Sequence, residues 1–200
     1  MDKDELLKRY AEGEREFAIA DFSAKDLSNL DLSGIDLGGA NMTGCCLKGT
    51  NLSNFSNLSG ADLRFANLSD ANLRDVDLSG ADLRKANLSN ADLRHAELRG
   101  TDFRYTNLSG AKLNQSDLED ADLTEADLSR TDFTGASLQN TELVGANLRG
   151  ANLMETDLTT ANLTEADLTN AQTFGSQRPE LIGDENITFI DGTKKKPTWW

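Results

Sequence analysis

The chain contains few of the residues that usually carry catalysis or cross-linking. Its 200 residues include a single histidine, His95, and only two cysteines, Cys45 and Cys46. No serine or cysteine is predicted beside His95, so the sequence offers no activated nucleophile of the usual kind. The two cysteines are neighbours whose side chains point to opposite faces of an extended segment, so they pair poorly. We therefore expect that the protein is not an enzyme. We also expect the Cys45 side chain to be buried and the Cys46 side chain to point outward.

Long apolar stretches are also absent. No hydrophobic run approaches the roughly eighteen residues of a membrane-spanning helix, and the first residues, Met-Asp-Lys-Asp-Glu-Leu-Leu, contain no apolar signal segment. The sequence has no clustered calcium-binding loop of the EF-hand type. These absences predict a cytoplasmic protein with no metal, no cofactor and no membrane contact.

A strict five-residue period dominates what is present. From Leu58 to Leu168 a leucine or phenylalanine occupies every fifth position, twenty-three in succession, and a small residue stands two positions before each. An α-helix cannot keep this stripe on one face, because five residues turn it by about 500°. In Ala61-Asp62-Leu63-Arg64-Phe65 an extended segment instead directs Ala61 and Leu63 inward and Asp62 outward. The remaining two residues then turn the chain at a corner.

Repeated sides and corners predict a solenoid. Four sides of five residues make the smallest coil that encloses leucines without a lumen, whereas three-sided coils usually carry a period of six. The tandem units, such as Ala66-Asn67-Leu68 and Ala161-Asn162-Leu163, resemble the pentapeptide-repeat family over roughly Phe22 to Leu168. The resemblance implies an all-β solenoid, a right-handed quadrilateral β-helix, here of about seven and a half coils. The lead-in Tyr10–Phe17 is similar to that of members common in photosynthetic bacteria.

The β-helix is predicted to lie between two capping segments. Residues 1–16 form an N-terminal capping helix and lead-in, because Asp2 and Glu5 stand at capping-box spacing and Gly13 is placed to end the helix after Glu12. Residues 17–170 form the β-helix, with repeats from about Phe22. Its phase breaks near residues 53–57, where one extra residue is expected to form a bulge or corner loop with Phe55 turned outward or wedged.

Residues 171–200 are predicted to form a C-terminal cap and tail. The repeat fails at Thr173-Phe174, so Gln172–Pro179 is interpreted as a loop and Asn186–Ile190 as a final strand before an Asp191-Gly192 turn. The last residues, Lys194–Trp200, are expected to be a solvated tail rather than a nucleic-acid or membrane contact.

The negative charge is concentrated in the last coils. Residues 115–170 contain twelve acidic residues against Arg130 and Arg149, so they contribute −10 of the total formal charge of −14, whereas residues 58–114 are neutral. If coils of twenty residues stack on one another, Arg64, Arg84 and Arg104 lie beside outward acids of the middle coils. There they relieve the repulsion between carboxylates. No such relief is expected in the C-terminal coils. The outward acidic column comprises Asp62, Asp82, Asp102, Asp122 and Glu142.

We therefore expect a non-enzymatic structural or protein-interaction module that presents an acidic β-helical surface to an unidentified protein partner. Direct nucleic-acid binding is not expected, and the oligomeric state stays open between a monomer and an end-to-end dimer. The candidate interaction surface comprises eleven acidic residues of the C-terminal half: Glu119, Asp120, Asp122, Glu125, Asp127, Asp132, Glu142, Glu155, Asp157, Glu165 and Asp167.

The family resemblance implies an alternative function. The family includes proteins that protect bacterial gyrase from fluoroquinolones with an acidic, rod-like surface about as wide as duplex DNA. The alternative is thus a DNA-mimic inhibitor or protector of DNA gyrase or topoisomerase. Two departures count against it, because the middle coils are neutral and the chain begins with a helix rather than with repeats.

Overall fold

The computed structural model describes residues 1–177, in which the chain winds into four-sided coils stacked along one axis. Each side pairs in parallel with a side of the next coil through one outward residue, as in Asp62 with Asp82 and Asn67 with Asn87. Away from the phase break the paired residues lie twenty positions apart, so four five-residue units make one coil. The predicted right-handed quadrilateral β-helix is confirmed.

Backbone hydrogen bonds join successive coils in a repeating pattern. The Leu63 N–H donates to the Asp82 carbonyl at 2.8 Å, and the Phe65 N–H donates to the Arg84 carbonyl at 3.1 Å. Within the unit, the Ala66 N–H donates to the Leu63 carbonyl at 3.0 Å and closes a β-turn at the corner. Both the sides and the corners are therefore held by the stack, although each side contributes only one paired residue.

The core is a column of leucines lined by small residues. The inward leucines and phenylalanines from Leu58 to Leu168 are fully buried, as are most of the small residues two positions before them. Threonine replaces alanine where its hydroxyl has a partner: Thr101 donates to the Leu78 carbonyl at 2.8 Å, and Thr106 donates to the Leu83 carbonyl at 2.7 Å. The buried hydroxyls are thus satisfied within the stack.

The corners require a left-handed backbone conformation. The second of the two corner residues has a positive φ in unit after unit, from 56° to 62° where it is not glycine. A β-turn with this φ at its third residue favours glycine or asparagine, because they adopt the left-handed region at least cost. Gly60 and Gly80 occupy such positions with φ of 63° and 65°.

The phase break at residues 53–57 is one enlarged corner. Asn54 and Phe55 both have positive φ, and Phe55 is 81% exposed, so the extra residue turns outward. The Ser56 hydroxyl donates to the Ser53 carbonyl at 3.0 Å and closes the corner on its inner side. Pairs that span the corner lie twenty-one positions apart, as in Asp36 with Asn57. The extra residue is therefore absorbed within one coil.

One helix, α1 (Lys3–Ala11), packs on the first coil. Its N-cap Asp2 accepts from the Glu5 N–H at 2.8 Å, which is the predicted capping interaction. Leu6 is fully buried against the core, and the Tyr10 hydroxyl donates to the Ser33 carbonyl at 2.7 Å. The helix therefore covers the open end of the solenoid, where unpaired edges would otherwise face solvent.

The coils extend beyond the repeats at both ends. Glu16 pairs with Asp36 and places the buried Phe17 in the first inward position, five residues before Phe22. At the other end, Gln172 pairs with Asn152 and Thr173 takes the inward position. The loop expected at Gln172–Pro179 is therefore, as far as Gln177, a continuation of the coil. Gln177 pairs with Asp157 and begins one further side.

The remaining C-terminal predictions lie outside the described residues. These are the strand at Asn186–Ile190, the Asp191-Gly192 turn and the tail Lys194–Trp200. Within residues 1–177, the structure contains no helix long and apolar enough to cross a membrane.

Candidate interaction surface

The outward residues form four vertical columns, one on each side of the solenoid. We number the sides in chain order from the unit that contains Leu63. Side 1 carries Asp62, Asp82, Asp102, Asp122 and Glu142; side 2 carries Asn67, Asn87, Asn107, Asp127, Asn147 and Asp167; side 3 carries Asn72, Asp92, Lys112, Asp132 and Asn152; side 4 carries Asp77, Glu97, Asp117, Ser137 and Asp157. The corner that follows each side takes its number.

Aspartate and asparagine recur in these columns because their side chains hold the corners. The outward Oδ1 accepts a hydrogen bond from the backbone N–H two residues later, as in Ser129 N to Asp127 at 3.0 Å and Thr169 N to Asp167 at 2.9 Å. At Asp167 this bond favours the charged form of the carboxylate. Burial raises the pKa of Asp167, but hydrogen bonds from Thr169 and Arg149 outweigh it and the pKa falls below its ordinary value.

The eleven candidate acidic residues do not form one contiguous face, because the structure distributes them over all four sides. Five are aspartates that accept such a backbone hydrogen bond, and Glu119 forms an ion pair with Arg99 at 2.6 Å. The five that are exposed and have neither role are Asp120, Glu125, Glu142, Glu155 and Glu165. The five backbone acceptors are Asp122, Asp127, Asp132, Asp157 and Asp167.

Side 1 and corner 1 hold the densest group among the eleven candidate acidic residues. Asp122 pairs directly with Glu142 in the next coil, and Glu125 and Glu165 lie at the adjoining corner two coils apart. The four residues belong to three successive coils, and coils stack at about 4.8 Å, so the group spans only about two coil spacings along the axis. We call Asp122, Glu125, Glu142 and Glu165 the acidic patch.

In the middle coils of side 1 the arginines neutralise the acids as predicted. Arg64 donates from Nε and Nη2 to the two carboxylate oxygens of Asp62 at 2.8 and 2.6 Å, and its Nε lies 3.6 Å from Asp82 of the next coil. Arg84 and Arg104 repeat the arrangement one and two coils further on. The hydrogen bond from Arg64 lowers the pKa of Asp62. The resulting ladder of alternating charges ends at Asp122.

The prediction that nothing relieves repulsion in the C-terminal coils is wrong. Gln139 donates to Asp157 at 2.7 Å, Asn147 donates to Asp127 at 2.9 Å, and Asn162 donates to Glu142 at 2.7 Å. Arg149 also forms an ion pair with Asp167 at 3.0 Å. Amide side chains in the neighbouring coil therefore take the place of the arginines, which counting charges alone does not reveal.

The histidine and the cysteines lie where their phase predicts. His95 is exposed at corner 3, and Cys45 is fully buried in the small inward position while Cys46 is outward and half-buried. Burial raises the pKa of the Cys45 thiol to about 12, which leaves it without nucleophilic thiolate at neutral pH. Within the part of the chain that the structure describes, no three His, Cys, Asp or Glu side chains are grouped to hold a metal ion.

Sequence reasoning missed a cationic and aromatic group at corner 1. Phe65, Lys85 and Tyr105 stack in successive coils, with Lys85 Nζ 5.7 Å from the Phe65 ring centroid and 5.9 Å from that of Tyr105. They and the three arginines of side 1 line a shallow groove of about 250 Å³. The signal for this group is the twenty-residue spacing of Phe65, Lys85 and Tyr105, which places corner residues of successive coils above one another.

Comparison with known families agrees with this architecture. The family model for pentapeptide repeats matches the chain in eight copies, over residues 20–55, 56–94, 81–120, 101–140 and 141–172. The chain belongs to the pentapeptide-repeat family. A comparison with curated proteins found no match.

Several solved structures of pentapeptide-repeat proteins are similar to this member of the family. HetL, a protein involved in heterocyst differentiation regulation in the cyanobacterium Nostoc sp. strain PCC 7120, is 31% identical over 96% of this chain and 99% of its own, with a TM-score of 0.36. Another protein of Nostoc PCC 7120 is 38% identical over 60% of this chain and 80% of its own, with a TM-score of 0.42. QnrB1, a plasmid-mediated fluoroquinolone resistance protein, is 22% identical over 86% of this chain and 87% of its own, with a TM-score of 0.54. The similarity to QnrB1 concerns the fold.

Proposed function

We propose that this pentapeptide-repeat protein is a non-enzymatic interaction module that presents its acidic patch to a protein partner carrying a basic surface. The expected cytoplasmic location is part of this proposal. The observation that carries it is that, among the described residues, three of the four patch residues have no part in a corner hydrogen bond or an ion pair. The fourth, Asp122, accepts the Thr124 N–H at 3.0 Å and lies 3.6 Å from Arg104 Nε. Glu125, Glu142 and Glu165 are exposed, accept no backbone hydrogen bond of the corner type, and form no ion pair with another described residue.

The charge of the patch contrasts with the rest of side 1. The middle coils carry Arg64, Arg84 and Arg104 beside the acidic column, whereas the corresponding positions further on are Thr124, Val144 and Thr164. Negative potential therefore begins where the arginine ladder ends. Such a surface favours rapid encounter with a basic partner and gives binding that weakens with salt.

The alternative function, inhibition or protection of gyrase or topoisomerase by DNA mimicry, needs a longer acidic surface. Duplex DNA carries a negative charge about every 1.7 Å along its axis. On side 1 the ion pairs of Arg64, Arg84 and Arg104 interrupt the acidic column over the middle coils. This interruption supports a partner that contacts the C-terminal coils rather than one that replaces DNA along the rod.

A pull-down with charge-reversed protein tests the proposal. The variant Glu125→Lys, Glu142→Lys, Glu165→Lys reverses the patch without removing a corner hydrogen bond. Its matched control, Glu97→Lys, Asp120→Lys, Glu155→Lys, makes the same change of charge at exposed positions on sides 3 and 4. We expect the first variant to lose at least about 90% of the partner recovered by wild type, because several close charge pairs each contribute about a tenfold change in affinity. Equal recovery by the two variants would rule out the acidic patch.

A supercoiling assay tests the alternative separately. A DNA mimic acts through charge, so its effect on gyrase or topoisomerase should be strongest at low salt. We expect no inhibition at micromolar protein and low salt. Inhibition that disappears in the patch variant, but persists in the control variant, would favour the alternative function instead.

A further inference from the structure

Corner 1 carries a column whose two halves have complementary chemistry. Its second residues, from the middle coils to the last, are Phe65, Lys85, Tyr105, Glu125, Gly145 and Glu165. They stand directly above one another, because each N–H donates to the corner carbonyl of the next coil, as in Lys85 N to Arg104 O at 3.1 Å and Glu125 N to Val144 O at 2.8 Å. We call this column of corner residues the ridge. One half of the ridge is cationic and aromatic, and the other half is acidic.

The aromatic side chains of this ridge contribute little to the folded monomer. Phe65 is 58% exposed and Tyr105 is 56% exposed, although both stand at a position with φ of 61°. The left-handed conformation is costly for bulky residues, and an exposed ring returns little burial energy. Their side chains also flank the shallow groove formed with Arg64, Arg84, Lys85 and Arg104. These features are those of a contact surface.

We propose that two copies of this chain dimerise side by side and antiparallel along corner 1, with a two-fold axis through Tyr105. A two-fold axis there places Tyr105 against its own copy. One coil away on either side, Lys85 of one chain faces Glu125 of the other, and two coils away Phe65 faces Gly145. Each cation thus lies opposite a carboxylate. The Glu125 side chain extends over Gly145 of its own chain, so Phe65 of the other copy meets Gly145 together with this side chain rather than a gap.

A second copy of this chain is favoured as the partner because the cationic half of the ridge is complementary to the acidic half of an antiparallel copy. A parallel arrangement would place Lys85 against Lys85 and Glu125 against Glu125. A two-fold contact is closed, so it gives a dimer rather than a filament. Moving the axis to lie between Tyr105 and Glu125 would place Lys85 opposite Gly145 and lose the charge pair. The register through Tyr105 is therefore the one that the side chains select.

The contact is a narrow ridge, so the dimer is expected to be weak and concentration-dependent. Stable interfaces bury about 800 Å² on each partner, which a single corner of five coils does not provide. Sedimentation velocity over a concentration series measures this association directly. We expect the full chain to shift from monomer to dimer in the micromolar to millimolar range at low salt, and to return toward monomer when salt is added.

A charge swap within one chain tests the register. Lys85→Glu and Glu125→Lys are each expected to weaken the dimer by about tenfold or more, because each change affects two symmetry-related pairs. The double variant Lys85→Glu, Glu125→Lys restores opposite charges across the axis and is expected to return the dissociation constant to within about threefold of wild type. Lys85 and Glu125 both already adopt a positive φ, so the swap places at each corner a residue type that this chain already accommodates in that conformation. The matched controls Lys112→Glu and Glu155→Lys, on other parts of the surface, should dimerise as wild type does.

Three outcomes would overturn this dimer. The chain could stay monomeric throughout the concentration series, the dimer could be unaffected by Lys85→Glu, or the double variant could fail to recover. The second outcome would place the contact elsewhere, for example at the ends of the solenoid. The dimer does not depend on the proposed partner, and Lys85→Glu leaves the acidic patch intact. Loss of the dimer with partner recovery retained therefore separates the two surfaces.

Discussion

The outward aspartates of this solenoid serve the backbone before they serve the surface. Asp127 accepts the Ser129 N–H at 3.0 Å and the Asn147 side-chain amide at 2.9 Å, both through Oδ1. Asparagine offers the same acceptor without the charge, which is why the two residues alternate freely along side 2. A column of aspartates in such a protein is therefore weak evidence for an acidic binding site.

Substitution at Asp127 separates the acceptor from the charge. We expect Asp127→Ala to lower the free energy of unfolding by about 1–2 kcal/mol, because two hydrogen bonds to a half-buried carboxylate are lost. Asp127→Asn keeps the Oδ1 acceptor and should cost less than about 0.5 kcal/mol. Urea denaturation followed by circular dichroism measures both. If the asparagine variant were as destabilised as the alanine variant, the charge rather than the acceptor would be the stabilising feature.

The sequence alone predicted which residues point outward but not what they bind. Two-residue alternation places Asp127 on the surface and Leu128 in the core without any knowledge of the corner. The hydrogen bond to the N–H of Ser129 depends on how the corner directs that N–H, which spacing does not specify. For the same reason, the position of the candidate acids in the chain does not reveal that they lie on four different sides of the solenoid.

At the scale of the element, the five-residue unit tolerates an extra residue only at a corner. Phe55 is the extra residue, since without it Ser53-Asn54-Ser56-Asn57-Leu58 has the normal spacing from Leu52. Ser56 is already buried in the small position, and Asn57 already pairs with Asp36 and Asp77. We expect deletion of Phe55 to change the free energy of unfolding by less than about 1 kcal/mol, because the shortened corner is one that the chain uses elsewhere. Thermal and urea denaturation check this.

Deletion of Gly60 is the matched control for the corner. It also removes one residue with a positive φ, but it leaves four residues where the unit needs five. The corner then cannot return the chain to the next side, and we expect a loss of at least about 3 kcal/mol. A Phe55 deletion as damaging as the Gly60 deletion would mean that the enlarged corner is a required part of the fold.

Repeat spacing predicted the interior units well and the ends poorly. The four-sided coil followed from the smallest coil that encloses leucines and from the family resemblance. The leucine period itself located the phase break, because a break is a change in the spacing of inward positions. It placed the first side at Phe22 and ended the last near Leu168, whereas the structure adds Phe17 and Thr173. An end unit packs against only one neighbouring coil, so its sequence departs from the consensus and the periodic signal is lost.

Across the whole molecule, two electrostatic effects oppose each other as the pH falls. Protonation of carboxylates reduces the self-repulsion of a chain with a formal charge of −14, which favours the folded state. It also weakens hydrogen bonds and ion pairs to aspartates whose pKa values the fold lowers. Asp62 owes its lowered pKa chiefly to the hydrogen bond from Arg64, and Asp26 owes its own to that from Ser28. The second effect recurs along the chain, because the fold also lowers the pKa values of Asp21, Asp31, Asp92, Asp102, Asp132, Asp157 and Asp167.

We expect the second effect to prevail and the protein to lose stability in acid. An aspartate whose pKa is lower in the folded state than in the unfolded state binds its proton more readily when unfolded, so falling pH favours unfolding. The stabilisation is fully present above the ordinary aspartate pKa of about 3.9 and declines as the pH falls toward the lowered folded values. The midpoint of thermal unfolding should therefore vary little between about pH 7 and pH 5 and fall steeply below about pH 4. A midpoint that rises or stays level in this acid range would show that relief of carboxylate repulsion outweighs the corner hydrogen bonds.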